Sequence, residues 1–149
     1  MYKRQLFNFA SLTIKSVSTI DQFKLIESLK NKNKAIALVG ASNDPSKYGN
    51  KILLNLKSKG FNVIPINTKE KEIDGSPSYK SVADIKDCPS IINFVVPPNI
   101  GIEITKDLVE KGYDNFWYQP GAESEEISNY LKEQGKNYID NQCIMVVAK

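Results

Sequence analysis

The segment from Gly40 to Asn50, which reads GASNDPSKYGN, carries the residue types best suited to hold an anionic ligand. It leads from a short apolar run into a predicted helix, whose first turn offers free backbone N–H groups and the positive end of the helix dipole. Gly40 permits a close approach that a side chain blocks, while Ser42 and Lys47 supply hydroxyl and ammonium donors. The segment matches neither a Walker loop nor a strict GxGxxG motif, so a tight turn that uses glycine only for packing is an equally good interpretation.

The end of the next apolar run discriminates between nucleotides. NAD-binding domains place an acidic residue about 20 or more residues after the glycine loop, and this sequence has Asn67 there, which disfavours NAD. Asn67, Lys69 and Lys71 suit a phosphorylated ribose, either the 2′-phosphate of NADP or the 3′-phosphate of coenzyme A (CoA). Glu70 and Glu72 alternate with these lysines, so a solvated loop is the alternative interpretation.

Two prolines follow the most apolar run of the sequence, Ile91 to Val96. Together with Val96, Pro97 and Pro98 predict a rigid apolar ledge, since proline has a fixed φ and no backbone donor. Such a ledge suits a thin and partly apolar ligand chain. Asn99 is placed to cap the helix that follows.

Polar residues also follow the later apolar runs. Gln119 ends the run NFWYQ, and Glu123 lies four residues further on, where a charge at a helix N-terminus is the alternative to a catalytic role. Cys143 lies near the last apolar run. It is either a buried structural cysteine, which is the commoner case, or a thiol beside a binding cleft.

Composition excludes several classes of site. The chain has 149 residues, the size of one globular domain, and contains no histidine, which removes the Ser-His-Asp arrangement and most zinc sites. Its two cysteines, Cys88 and Cys143, support neither a disulfide scaffold nor a metal cluster, so a reducing, cytoplasmic setting is expected. The net charge is +3 with scattered basic residues, and no apolar run is long enough to span a bilayer. We therefore expect a soluble protein without a nucleic-acid or membrane partner.

Short apolar runs alternate with amphipathic stretches at the spacing of βα units. The pattern predicts strands at 35–39, 61–66, 91–96, 115–119 and within 137–147, helices at 48–59, 100–111 and 124–134, a turn at 74–77 and a helical turn at 81–85. Parallel strands need crossover connections, so the sequence predicts a Rossmann-like α/β fold with a doubly wound, mainly parallel sheet of about five strands and helices on both faces. The 91–96 strand is expected at the sheet centre, and Pro65 indicates that its strand soon leaves the sheet or lies near an edge.

The N-terminal segment allows two interpretations. Residues 1–18 contain basic and hydroxyl residues but no acidic one, which is typical of a mitochondrial presequence, yet their alternating apolar residues also fit an ordered arm. Residues 19–149 are then a single domain. Thr19 or Asp21 is placed to cap a helix whose apolar positions Phe23, Ile26 and Leu29 are expected to cover a sheet edge.

Several motifs, in order, resemble those of the small CoA-binding domain proteins, single-domain relatives of the N-terminal domain of the succinyl-CoA synthetase alpha subunit. The likeness extends over roughly residues 34–146, and the matching segments are 39–45, 48–52, 60–67, 79–85, 95–98, 117–122 and 140–143. The arginine that the family usually has in the last of these segments is replaced by Asn141 or Gln142. The phosphohistidine of the synthetase has no counterpart, so ligase activity is not expected.

The resemblance implies a Rossmann-like fold that binds CoA or acyl-CoA. The pyrophosphate would lie over Gly40 to Asn50, the adenosine near Asn67 to Lys71, and the pantetheine arm along Val96 to Asn99. The full set of candidate contacts is Gly40, Ala41, Ser42, Lys47, Tyr48, Gly49, Asn67, Lys69, Lys71, Val96, Pro97, Pro98, Gln119 and Cys143.

Three hypotheses about function follow. The leading one is a non-catalytic CoA-binding module, with neither catalytic nor metal-binding residues, whose assembly includes a homodimer as one option. The second is an NADP-dependent reductase, for which Tyr118 or Tyr48 would have to donate the proton. The third is an interaction subunit with a vestigial nucleotide pocket, in which the N-terminal arm is the working surface.

Overall fold

The computed structural model describes residues 22–149, so the predicted arm and the capping residues Thr19 and Asp21 lie outside the described residues. The strands are β1 (Ala35–Val39), β2 (Asn62–Ile66), β3 (Glu72–Ile73), β4 (Ser76–Pro77), β5 (Ile91–Phe94), β6 (Asn115–Tyr118) and β7 (Asn137–Ile139). The helices are α1 (22–28), α2 (Tyr48–Ser58), α3 (Pro98–Glu110), α4 (Glu125–Glu133) and α5 (Ile144–Val147), with one 3₁₀ turn at Val82–Asp84.

Five strands form one parallel sheet in the order β2-β1-β5-β6-β7. The predicted Rossmann-like α/β fold is therefore confirmed, with β5 at the centre and the Pro65-containing strand β2 at an edge. The chain passes from β1 to β2 on one side and then returns to β5 on the other side of β1. This reversal creates a topological switch point beyond the carboxyl ends of β1 and β5, which is where open α/β sheets bind ligands.

Helices cover both faces of the sheet, as the sequence predicts. On one face, Ile52, Leu53 and Leu56 of α2 are fully buried and pack in the same core cluster as residues of α1 and α5. On the other face, α3 and α4 bury residues such as Leu108 and Leu131. Each such side chain contributes roughly 1.5–3 kcal/mol through burial. The two cores fix the sheet, and thereby the loops at its carboxyl edge.

Helix α1 packs against the sheet through a face that only partly matches the predicted one, since Ile26 packs against the core as expected. Leu25 and Leu29 are buried and Gln22 Nε2 donates to the carbonyl of Tyr138 in edge strand β7, whereas Phe23 is 62% exposed. Positions 25 and 29 are one helical turn apart and therefore share a face that excludes position 23. Of the three apolar positions predicted to cover the edge, the prediction for Phe23 is therefore wrong.

Two other local predictions need correction. Asn99 does not cap α3, because the helix already begins at Pro98, whose fixed φ suits the first helical position. The last segment, predicted as a strand or a strand with a short extension within 137–147, is a strand only to Ile139, and the part that follows contains the short helix α5. Asn141 has φ +61, a left-handed conformation that interrupts the extended chain.

The predicted turn at 74–77 is confirmed and forms a small antiparallel hairpin of β3 and β4. Asp74 and Gly75 both have positive φ, the conformation that a two-residue hairpin loop requires. After the hairpin, Tyr79 pairs in parallel with Ile66 at the end of β2. The hairpin therefore returns the chain to the carboxyl edge of the sheet.

Within the described residues, no helix combines the length and apolar character that a membrane span requires.

Candidate functional site

The loops after β1 and β5 are in direct contact at the switch point. Gly40 has φ +101, and a Cβ added to it would lie 2.8 Å from Val95 Cγ1 and 2.9 Å from Val96 Cγ1. Both the backbone conformation and the space therefore require glycine. The loop of the predicted phosphate site thus lies directly against the start of the apolar ledge.

The first turn of α2 packs on the same loop. A Cβ added to Gly49 would lie 2.0 Å from the carbonyl oxygen of Gly40, so only glycine lets the helix come this close. The buried amide of Asn50 donates to the carbonyl of Ser42 at 2.9 Å. These contacts set the position of the helix N-terminus relative to the loop.

Asn67 joins the loop after β2 to the loop after β1. Its Nδ2 donates to the carbonyl of Ala41 at 2.9 Å, and its Oδ1 accepts from the backbone N–H groups of Lys69 at 2.8 Å and Glu70 at 2.9 Å. The side chain thus holds two neighbouring strand ends together. Sequence reasoning proposed Asn67 as a ligand contact; in the structure its amide already serves this bracing role.

Asn43 links the same loop to the β3–β4 hairpin. Its Nδ2 donates to the carbonyl of Glu72 at 3.0 Å, and its Oδ1 accepts from the N–H of Asp74 at 3.0 Å. Asp44 accepts hydrogen bonds from the hydroxyl and N–H of Ser46, which lower the pKa of its carboxyl. The loop is consequently held along its length by its own side chains.

A cleft of about 360 Å³ opens at these strand ends. Apolar side chains of β1, β2, the ledge and α3 line part of it, and polar groups of the loops line the rest. Its lining residues are Val39, Gly40, Ala41, Ser42, Lys47, Ile66, Asn67, Thr68, Lys69, Lys80, Val96, Ile100 and Ile104. The structure therefore brings together seven of the predicted contacts: Gly40, Ala41, Ser42, Lys47, Asn67, Lys69 and Val96.

The charged residues that line this cleft are all lysines, namely Lys47, Lys69 and Lys80. All three are exposed, and none pairs with an acidic side chain of the described residues. The cleft thus combines apolar walls with a cationic rim. Such an arrangement suits an anionic ligand that also carries apolar or aromatic parts.

The backbone adds further donors at the same place. Within residues 22–149, no hydrogen bond uses the N–H groups of Ser42, Tyr48 or Gly49. The first turn of α2 also has no acidic residue. Unpaired N–H groups at a helix N-terminus favour negative charge, so this end of the cleft suits an anionic group.

Other predicted contacts lie around the cleft rather than in its lining. Gly49 is buried beneath the loop, and Tyr48 is 63% exposed, with Lys51 Nζ 5.5 Å from its ring centroid. Pro97 and Pro98 begin α3 beside the ledge residue Val96. Lys71 lies at the entry to the hairpin, where its carbonyl accepts from the N–H of Ser78 at 2.9 Å.

Gln119 and Cys143 form a separate pair beyond β6 and β7. Gln119 is 4% exposed, its Nε2 donates to Cys143 Sγ at 3.2 Å, and its Oε1 accepts from the N–H of Ile144 at 3.0 Å. Cys143 itself is half-buried. The pair lies at the carboxyl edge, on the far side of β5 from the three lysines.

Two carboxylates lie near that pair. Burial, and secondarily the charge of Glu123, raise the pKa of Asp140. The carboxylate of Glu123 accepts a hydrogen bond from the N–H of Gly121 at 2.8 Å and thereby stabilises the turn after β6. Across residues 22–149, His, Cys, Asp and Glu side chains form no group of three that could hold a metal ion.

Six lining residues were not among the contacts predicted from the sequence: Val39, Ile66, Thr68, Lys80, Ile100 and Ile104. Ile100 and Ile104 are one turn apart on α3 and are not fully buried. Their four-residue spacing is visible in the sequence and places both on one side of the helix. Lys80 has no such signal, because its place depends on the pairing of Tyr79 with Ile66.

The model of the CoA binding domain family matches residues 34–149. This match includes every strand of the sheet and the whole cleft. The chain belongs to the CoA binding domain family. The resemblance identified from the sequence motifs is thereby confirmed.

Similar curated proteins of this family differ greatly in length. The alpha subunit of an ADP-forming acetate–CoA ligase II from Pyrococcus furiosus is 39% identical over 80 residues, which are 53% of this chain and 18% of the ligase subunit. An ADP-forming acetate–CoA ligase from Methanocaldococcus jannaschii is 34% identical over 109 residues, 70% of this chain and 16% of that protein. The chain therefore spans less than a fifth of either ligase. By contrast, the uncharacterized protein YneT of Bacillus subtilis is 27% identical over 121 residues, 81% of this chain and 90% of YneT.

Solved structures show the same small domain. A conserved hypothetical protein from Pyrococcus furiosus has 50% identity and a TM-score of 0.74, and the alignment covers 76% of this chain and 97% of that one. A hypothetical protein from Pyrococcus horikoshii has 32% identity and a TM-score of 0.75, with 85% and 88% coverage. Family domains of this size therefore occur as separate chains as well as within large ligases.

Proposed function

We propose that this protein is a small, non-catalytic module that binds CoA or acyl-CoA in the cleft at the switch point. The observation that carries the proposal is the set of three unpaired lysines beside the free N–H groups of the loop and α2. This cationic cleft lies within the region that matches the CoA binding domain family. CoA supplies the matching chemistry, with three phosphate groups on a partly apolar ligand.

The arrangement of the strand ends favours one direction for the ligand. In our proposal the pyrophosphate lies over the Gly40 loop, where Ser42 and Lys47 donate to it. The adenosine end extends toward β2, where Lys69 and Lys80 face its 3′-phosphate. The pantetheine arm leaves in the opposite direction, past Val96 and toward Gln119.

The reductase hypothesis receives less support from the geometry. Tyr118, one of its two candidate proton donors, is fully buried, and its hydroxyl is 2.6 Å from Thr105 Oγ1. Burial raises the pKa of Tyr118. A buried hydroxyl of this kind stabilises the core beneath α3 and is remote from proton exchange with a ligand in the cleft.

Thermal unfolding in the presence of CoA, acetyl-CoA, dephospho-CoA, NAD and NADPH tests the proposal. A ligand present at a hundredfold excess over its Kd adds about 2.7 kcal/mol of stability, which raises Tm by roughly 5–10 °C in a chain of this size. We expect CoA and acetyl-CoA to give a shift of this order, and NAD and NADPH to give little or none. If no CoA species raises Tm, or if NADPH alone does, the proposal is wrong.

A charge-matched pair of variants serves as control. Replacing Lys47, Lys69 and Lys80 together by alanine removes three charges from the cleft, while replacing the exposed Lys34, Lys86 and Lys132 removes three charges elsewhere. Only the first variant should lose the CoA-dependent shift. Equal loss in both would mean that net charge, rather than the cleft, attracts the ligand.

The proposed direction of the ligand places its thiol near Cys143. We expect CoA disulfide to react with this residue by thiol–disulfide exchange, in which the Cys143 thiolate attacks one sulfur and one CoA thiol leaves. Intact-mass analysis should then show one added CoA moiety per chain, formed faster than the adduct from glutathione disulfide at equal concentration.

Single replacements of the two cysteines distinguish directed from general reactivity. Cys88 is exposed and lies away from the carboxyl edge, so Cys88→Ser should retain the preference for CoA disulfide. Cys143→Ser should abolish it. An adduct that forms equally well with both disulfides, or on Cys88, would contradict the proposed position of the thiol.

A further inference from the structure

A second cavity, of about 280 Å³, continues the cleft toward α3. The two share Val39, Ile66, Thr68, Lys80 and Ile104. The residues that line only the second cavity are Ser81, Val82, Glu103, Asp107 and Leu108. One groove therefore runs from the phosphate loop, past the end of β2, to the side of α3.

The charge along this groove changes sign. The cleft has only lysines among its charged lining residues, whereas the extension adds two carboxylates from α3, Glu103 and Asp107. Asp107 is paired with Lys111 at 2.8 Å. Glu103 makes no ion pair with any lysine in residues 22–149, so its carboxylate is available to a ligand.

The walls of the extension are apolar, since Val82 and Leu108 are buried core residues and Ile104 is half-buried between them and the cleft. Among the polar groups at its rim, Glu103 is the carboxylate without an ion pair to any described residue, since Asp107 is paired with Lys111 and the proposed function assigns Lys80 to the 3′-phosphate. Apolar walls with such an acceptor suit a flat aromatic ring that carries a hydrogen-bonding substituent. A carboxylate accepts hydrogen bonds and donates none at neutral pH. It therefore attracts a ring amino group and repels a ring carbonyl oxygen.

We propose that this extension holds the purine ring of the bound nucleotide and that Glu103 selects a 6-amino purine over a 6-oxo purine. The inference rests on the proposed function, because it needs the phosphates to occupy the lysine-lined cleft. It adds a specificity-determining residue that neither the loop motif nor the lysines supply. A site that hydrogen-bonds a ligand amino group discriminates strongly against the analogue that cannot donate there.

Titration calorimetry with adenosine 3′,5′-bisphosphate and inosine 3′,5′-bisphosphate tests this inference. The two probes carry the same phosphates and differ only at the 6-position of the ring. We expect wild-type protein to bind the adenosine compound about tenfold more tightly. Glu103→Gln places an amide that both donates and accepts, so the ratio should fall to near one.

The matched control is Glu110→Gln, which removes the same charge from an exposed position at the end of α3, outside the groove. It should keep the tenfold preference. The inference is overturned if wild-type protein binds the two probes with nearly equal affinity, or if Glu103→Gln keeps the wild-type ratio of affinities. In either case, binding of both probes leaves the proposed function intact. If neither probe nor CoA binds, both are wrong.

Discussion

Replacing Gly49 with alanine is expected to lower the free energy of unfolding by about 3 kcal/mol, at the upper end of what overpacking usually costs. The added methyl group would lie 2.0 Å from the carbonyl oxygen of Gly40, and neither backbone can move away without disturbing the loop. Chemical denaturation measures the change as a lower midpoint. CoA affinity should fall as well, because the helix N-terminus is displaced from the phosphate loop.

Gly101 provides the matched control, since it also lies near the start of a helix. A Cβ added there meets its nearest side-chain atoms at 3.7–3.9 Å, which is ordinary van der Waals contact. Gly101→Ala should therefore raise the free energy of unfolding by roughly 0.4–1 kcal/mol through reduced freedom of the unfolded chain. The close packing of Gly49 on Gly40 would be disproved if both substitutions changed stability in the same direction by similar amounts.

Removal of the 3′-phosphate is expected to weaken CoA binding about 30-fold, because the proposed arrangement then loses two charge-assisted contacts at the exposed rim of the cleft. Lys69→Ala and Lys80→Ala should each weaken CoA binding about tenfold, yet affect dephospho-CoA much less. Titration calorimetry of both ligands with both variants gives the coupling between each lysine and the phosphate. Raising the salt concentration should reduce the affinity for CoA more than that for dephospho-CoA.

Lys71→Ala is the control for this experiment. The sequence placed Lys71 with Lys69 at the phosphate, but in the structure Lys71 does not line the cleft, whereas Lys69 and Lys80 do. We therefore expect Lys71→Ala to leave both affinities nearly unchanged. Equal binding of CoA and dephospho-CoA, or a Lys80→Ala effect that is the same for both ligands, would refute the assignment of the phosphate to this rim.

Much of the site could be predicted because it follows from the ends of strands. Gly40, Ser42 and Lys47 come directly after β1, and Asn67 and Lys69 directly after β2, so a parallel sheet brings them to one edge whatever the details of packing. Val96 follows β5 in the same way. The structure brings these residues together in one cleft, although their hydrogen-bonding roles, such as the bracing by Asn67, were not visible in the sequence.

Residues that depend on the path of a loop could not be predicted. Lys80 is distant from Lys47 in sequence and reaches the cleft only because the β3–β4 hairpin reverses the chain and Tyr79 pairs with Ile66. Lys71 is next to the predicted cluster in sequence, yet it lies at the start of that hairpin. Proximity in sequence therefore suggested Lys71, which does not line the cleft, and did not suggest Lys80, which does.

Local signals in the sequence, namely apolar periodicity, glycine at helix ends and the loop motifs, predicted the sheet strands along the chain, the helices between them and the family. The packed structure is needed to show which lysines line the cleft and that Glu103 lies on the same groove. It also shows that the side chain of Gln119 is already hydrogen-bonded to Cys143 and Ile144. These features depend on how separate segments pack against one another. Such packing is a property of the whole core and of the chain path, so no local pattern of residues encodes it.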